Sequence, residues 1–291
     1  MFHGSIVALV TPFRNGRLDE TAFQDLVVWH LGEGTQGFVP VGTTGESPTL
    51  SHPEHQRVVE LCVEAVAGRA PVIAGAGSNS TEEAISLTLH AKKAGATAAL
   101  IVTPYYNKPT QDGLYAHYRA IHDAVDLPLV IYNIPGRSVV DMTPETMARL
   151  ARLPNIVGVK DSSADIVRPL LTHAACGGDF CQLSGEERHD VRILAHGGQG
   201  CISVTANVAP RLCAEIHGAW RAGRPDEALA IHRRLLPLHR ALFCETSPAP
   251  AKYALSRLGR CTDEVRLPLV GLSERAKAEV DAALIAVGLV N

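Results

Sequence analysis

Short apolar runs recur along most of the chain, each followed by a longer stretch whose apolar positions return with helical period. The runs are Ile6–Val10, Gly37–Val41, Val72–Ala74, Ala98–Val102, Leu129–Tyr132, Ile156–Val159, Cys181–Ser184 and Cys201–Val204. Bounded by Gly, Pro, Thr or Asn, they read as strands. Between them lie amphipathic patterns such as Glu54–Ala67, Glu82–Ala94, Leu114–Ala124 and Pro144–Leu150, which read as helices. Ser51-His-Pro-Glu54 and Ser80-Thr-Glu-Glu83 fit the capping box, and Thr143-Pro144 puts a cap before a first-turn proline. Eight β-then-α units predict a parallel sheet, and eight is the number that closes into a (β/α)8 TIM barrel. An open doubly wound sheet is the alternative, weakened by the absence of a G-x-G-x-x-G after the first strand and of a P-loop. After Arg221-Ala-Gly-Arg-Pro225 the strands stop, and residues 226–243, Pro248–Leu258 and Ser273–Val287 read as three helices. The expected organisation is a catalytic barrel over 1–224 and a C-terminal helical domain over 225–291.

Composition narrows the class. The chain has 291 residues, 46% hydrophobic and 20% charged, with a net charge of −3. That excludes global disorder and gives no electrostatic reason to expect nucleic acid. No uncharged apolar stretch reaches the roughly 18 residues of a membrane span, and the N-terminus lacks the pattern of a signal peptide. A soluble cytoplasmic protein is expected. The seven cysteines are odd in number and form no C-x-x-C, so they read as thiols rather than a disulfide framework or zinc ribbon. The thirteen histidines include no H-E-x-x-H. Nothing calls for a metal or an organic cofactor.

In a barrel of this kind chemistry sits where the strands end. Those ends carry Gly42-Thr43-Thr44-Gly45-Glu46, Thr103-Pro104-Tyr105-Tyr106, Tyr132-Asn133, Lys160-Asp161, Gly185-Glu186 and Thr205-Ala206-Asn207. Lys160 alternates with Gly158 and Ile156 along its strand. If that face is the interior, Gly158 leaves room beneath the lysine stem, and lost hydration favours a free amine able to attack a ketone and form an imine. A lysine reaching outward to the rim is an equal alternative from position alone. Tyr132, one strand away, is either a proton-transferring phenol or a core tyrosine with its hydroxyl at the rim. Thr43 and Thr44 lie in a turn whose N–H groups and hydroxyls suit a small carboxylate, or form an ordinary βα turn. Arg137 suits bidentate capture of a carboxylate, or is a solvated loop residue.

Taken together, Gly42-Thr-Thr-Gly-Glu46, Val102-Thr-Pro-Tyr-Tyr-Asn-Lys-Pro109, Tyr132-Asn-Ile-Pro-Gly-Arg137 and Val157-Gly-Val-Lys160 closely resemble the dihydrodipicolinate synthase (4-hydroxy-tetrahydrodipicolinate synthase) family. That family belongs to the class I pyruvate aldolases typified by N-acetylneuraminate lyase. The resemblance spans essentially the whole chain. It implies a Schiff base between Lys160 and pyruvate, and a proton relay of Tyr132, Thr44 and Tyr106, with Tyr106 serving the neighbouring subunit. It further implies that Thr43 and Thr44 hold the pyruvate carboxylate, that Arg137 recruits aspartate 4-semialdehyde, and that Gly185 and Ile202 line the pocket. The implied assembly is a homotetramer, a dimer of tight dimers, and no cofactor is implied.

Family members inhibited by L-lysine bind it in a cleft at the tight-dimer interface, and the matching positions here are Ser47, His52, His55, Asn79, Glu83 and Tyr105. For Glu83 the capping box on Ser80 is a competing explanation. Pro48 stands where a small residue is expected. Three further departures bear on the second substrate: Asp161-Ser-Ser-Ala after the lysine, the loosened Glu245-Thr-Ser-Pro-Ala-Pro-Ala-Lys252, and Ser138 after Arg137. Two alternatives follow. One is a pyruvate-dependent lyase acting on a 2-keto-3-deoxy sugar acid, sharing Lys160 and Tyr132 but not relying on Arg137. The other is a silent paralogue that binds a 2-oxo acid.

Overall fold

The computed structural model describes residues 2–290. Its main sheet comprises β1 (Gly4–Ala8), β2 (Gly37–Val39), β3 (Ile73–Gly75), β4 (Ala98–Val102), β5 (Leu129–Asn133), β6 (Ile156–Asp161), β7 (Cys181–Ser184) and β8 (Gly200–Ser203). All pairings in it are parallel. β8 returns to β1 with Gly4 opposite Gly200. The seam between β2 and β3 is closed by a single Phe38–Val72 bridge, and by Phe38 N donating to Pro71 O (2.9 Å) and Gly75 N to Pro40 O (3.0 Å). The sheet is therefore a TIM barrel.

Side-chain alternation splits the apolar residues into two cores. Ile6, Ala8, Val39, Ile73, Leu100, Val130, Leu183 and Ile202 fill the barrel. Their neighbours, such as Val7, Phe38, Ile101, Ile131 and Val159, face the helices. That outer layer contains α1 (Glu20–Gly32), α2 (His52–Val66), α3 (Thr81–Ala94), α4 (Gln111–Ala124), α5 (Pro144–Leu150), α6 (Arg168–Cys176), α7 (Asp190–Ala195) and α8 (Pro210–Arg221). Beyond it come α9 (Pro225–Ala241), α10 (Ala249–Arg257) and α11 (Glu274–Ala286), whose apolar faces join the same outer core. A small hairpin, Phe13–Arg14 with Arg17–Leu18, precedes α1; its two-residue strands are too short for the periodicity to show.

Two local readings of the sequence change. The register slips between Leu129 and Val130, so that Leu129 pairs with Ile156 but Val130 pairs with Gly158. Ile156 accordingly belongs to the outer core while Lys160 keeps the inward parity of Tyr132; a bulge breaks the alternation that strict period two assumes. The helix starts also diverge. At α2, Ser51 and Glu54 form both halves of a capping box. At α3, the Ser80 side chain accepts from Glu83 N, but the Ser80 N–H goes to Ser78 Oγ instead of to Glu83. Thr143 caps α5 ahead of Pro144.

Candidate active site

The register that pairs β5 with β6 sets Tyr132 opposite Lys160 at the C-terminal end of the barrel. Lys160 Nζ lies 4.1 Å from the centroid of the Tyr132 ring, and Lys160 is only 6% exposed. The room for its stem comes from a different glycine than alternation suggests. A β-carbon at Gly158 would meet the Cys181 carbonyl oxygen at 2.3 Å, so that glycine serves the contact between β6 and β7. At Gly185, in contrast, a β-carbon would stand 2.9 Å from Lys160 Cε and 2.0 Å from Ser162 Oγ. Gly185 is thus the position left bare for the lysine, and Ile202 packs in the same interior. Ser162 was not singled out from the sequence: its hydroxyl is buried beside Gly185 with no hydrogen-bond partner among the described residues.

Asp161 points the other way. It accepts from Asn133 Nδ2 (3.0 Å) and from Ser163 N (2.9 Å). Asn133 also donates to Asp141 (2.8 Å), which Arg168 binds at 2.6 Å. The Asp161-Ser162-Ser163 departure therefore puts its carboxylate into a network outside the barrel. Ser138 is similarly internal, its hydroxyl 2.9 Å from Ile134 O and 3.0 Å from Val140 O, tying down the turn that carries Arg137.

The turn after β2 is closed by Gly45 N donating to Gly42 O and Glu46 N to Thr43 O, both at 3.1 Å. Thr44 is buried and Thr43 half-buried. Thr43, Tyr132 and Arg137 line one cavity of about 390 Å³, which continues outward past Ser47, His52, His55, Glu83 and Tyr105. Parts of the two constellations separated in the sequence thus open into a single space, whereas Lys160, Thr44, Gly185 and Ile202 are not among its lining residues. Asn79 is not among its lining residues; its carbonyl accepts from Asn107 Nδ2 (2.9 Å). Tyr106 stays out of the cavity as well, 89% exposed and in the left-handed region at φ 70°. Among the described residues, no hydrogen bond joins the hydroxyls of Tyr132, Thr44 and Tyr106 within the chain.

At the outer end, Glu83 is not the reciprocal half of a capping box. Its carboxylate accepts from Ser78 Oγ and lies 2.8 Å from His52 Nε2. Those two partners hold its carboxyl below the ordinary glutamate range. Burial, with the Glu83 charge nearby, pushes the Tyr105 phenol up. His55 is buried, with neither ring nitrogen hydrogen-bonded among the described residues, and burial lowers its pKa to about 4. No group of three or more His, Cys, Asp or Glu among the described residues is arranged to hold a metal.

The chain matches the model of the Dihydrodipicolinate synthetase family over residues 1–287. It is 67% identical over 291 residues to a 4-hydroxy-tetrahydrodipicolinate synthase of Rhodospirillum centenum, with 100% of each chain covered. The solved structure of a chloride-inhibited dihydrodipicolinate synthase from Acinetobacter baumannii, complexed with pyruvate, superposes with a TM-score of 0.97 at 45% identity, covering 100% of both chains. That of a Cyanidioschyzon merolae DHDPS with lysine bound gives 0.96 at 40% identity, covering 99% of each.

Proposed function

The chain belongs to the dihydrodipicolinate synthetase family, and from that premise we propose how its own residues run the reaction. The enzyme is a lyase, a 4-hydroxy-tetrahydrodipicolinate synthase, condensing pyruvate with L-aspartate 4-semialdehyde. The relatives favour this activity over cleavage of a sugar acid.

The Lys160 amine attacks the pyruvate ketone and, with loss of one water, forms an imine. Positive charge on the imine nitrogen acidifies the methyl group, and loss of a proton there leaves an enamine. The enamine carbon bonds to the aldehyde carbon of the second substrate, whose oxygen takes up a proton to become the hydroxyl. The substrate's own amine then attacks the imine carbon, closes the ring and releases Lys160. Tyr132, beside Lys160, is the group suited to carry protons in these steps. Thr43, which lines the cavity, and the adjacent Thr44 hold the pyruvate carboxylate, and Arg137, lining the same cavity, takes that of the semialdehyde. Tyr106 completes the relay in a neighbouring copy within a homotetramer; an exposed aromatic in a left-handed conformation supports such delivery. L-Lysine inhibits by occupying the outer cavity, its amino groups meeting Glu83 and Tyr105. The seven free cysteines suit a reducing cytoplasm, and no helix among the described residues is long and apolar enough to cross a membrane.

The observation that carries this reading is the buried Lys160 set against Tyr132 at the barrel mouth. Borohydride reduction in the presence of pyruvate, followed by mass mapping, is expected to leave a pyruvyl group on Lys160 and none in the Lys160→Ala variant. A pyruvyl group elsewhere, or none at all, overturns it.

A further inference from the structure

Beneath the Thr43–Thr44 turn lies an ion pair that takes no part in the chemistry above. Glu46 ends the turn with its backbone in the left-handed region at φ 56°, where a side-chain-bearing residue stays only when its surroundings hold it. Its carboxylate points away from the cavity: Oε1 accepts from Lys252 Nζ at 2.7 Å and Oε2 from Arg266 N at 3.0 Å. Lys252, on α10, also donates to Thr11 O (2.8 Å), and the Thr11 hydroxyl donates to Gly45 O (2.7 Å). The two side chains are 0% and 1% exposed, and neither residue lines the cavity.

We propose that Lys252 and Glu46 are positioning residues for the pyruvate step, fixing from below the turn that receives the pyruvate carboxylate. The proposal rests on the reading of Thr43 and Thr44 given above. A buried pair spends most of its Coulombic attraction on desolvation, so apolar packing would stabilise the protein as well. What the pair adds is direction. Two carboxylate oxygens, each bound to a different C-terminal segment, fix the orientation of Glu46, and the Glu46 N–H in turn donates to Thr43 O at 3.1 Å. Displacing the carboxylate therefore displaces Thr43.

The reaction offers a test that separates positioning from simple stability. Lys252→Met strands a buried charge; the double variant Glu46→Gln/Lys252→Met removes both charges. We expect the KM for pyruvate to rise at least about tenfold in both, more than that for the semialdehyde, with the borohydride adduct still on Lys160. Thermal stability should drop in the single variant and recover in the double, while the KM for pyruvate stays high. A pyruvate KM within about twofold of the parent in the folded variants overturns the proposal. If Lys252→Met does not fold, the double variant and Glu46→Gln carry the same measurement. Thr43→Val, run alongside, separates the two readings. A raised pyruvate KM in Thr43→Val alone sinks the positioning role and leaves the turn's assignment standing. A rise with the pair but not with Thr43→Val, or with neither, sinks both.

Discussion

The Lys160–Tyr132 pair and the Glu83–His52 pair are built by opposite means. At the inner end, Lys160 and Tyr132 are neighbours because strands β5 and β6 are in register, and both are buried. At the outer end, Glu83 and His52 sit in the first turns of α3 and α2, and their 2.8 Å contact is partly exposed. The inner end is dry and held by the sheet. The outer end is more exposed and held by side chains, Glu83 pairing with Ser78 and His52 rather than with the Ser80 N–H. A chemical step that tolerates little displacement is thus tied to backbone geometry. The regulatory contact proposed at Glu83, which has to be reversible, would be tied to groups that water screens.

Substitutions at Arg137 and Glu83 sharpen that contrast. Arg137→Ala should raise the KM for aspartate semialdehyde about 50-fold, the cost of a charge-assisted contact to a carboxylate, and the KM for pyruvate far less. Steady-state kinetics with each substrate varied in turn checks this. Equal effects on both substrates would erase the division of labour between Arg137 and the threonine turn. Glu83→Gln should weaken L-lysine inhibition by about tenfold, measured as the half-inhibiting concentration at fixed pyruvate. Inhibition unchanged in that variant would leave the outer end without its proposed ligand.

The smallest effect concerns the helix start that kept its box. Glu54 accepts from Ser51 N and binds Arg266 at 2.6 Å, and these contacts lower its pKa to about 2. A carboxyl depressed in the folded state contributes stability above its unfolded pKa and loses it as pH falls through the folded value. Between about pH 5 and pH 2, the parent should therefore lose stability that Glu54→Gln does not have to lose. After screening of this partly exposed pair the difference is about 1 kcal/mol. Thermal melts of both proteins across that range measure it. Parallel pH curves would show that the Arg266 contact contributes nothing to folding.

What was legible in the sequence follows the same division. All eight strands and the three terminal helices stood out, because apolar period and turn residues are local signals, and the strand ends brought Lys160, Tyr132 and the threonine turn to one mouth. Strict alternation puts Ile156 inside with Lys160, whereas the bulge that turns it outward depends on the pairing of two strands and is invisible in one. Gly158 seemed the obvious relief for the lysine stem, whereas Gly185, on the loop after the next strand, provides it. Glu83 had a sufficient local explanation, and only the proximity of α2 shows that another partner won. Lys252 ends a segment matched to the family, but its pairing with a partner 206 positions away carried no signal.

That separation also orders events during synthesis. The substrate turn leaves the ribosome long before the lysine that underpins it. At about 5–20 residues per second, 206 further residues take roughly 10–40 s to make. The first strand pairs early with β2 but waits almost as long for its second neighbour, because Gly4 pairs with Gly200. A nascent chain therefore holds Lys160 and the Thr43–Thr44 turn before it holds the Lys252 and Arg266 contacts to Glu46. On the proposed positioning role of Lys252, a truncation that removes α10 unties the substrate turn rather than trimming a tail.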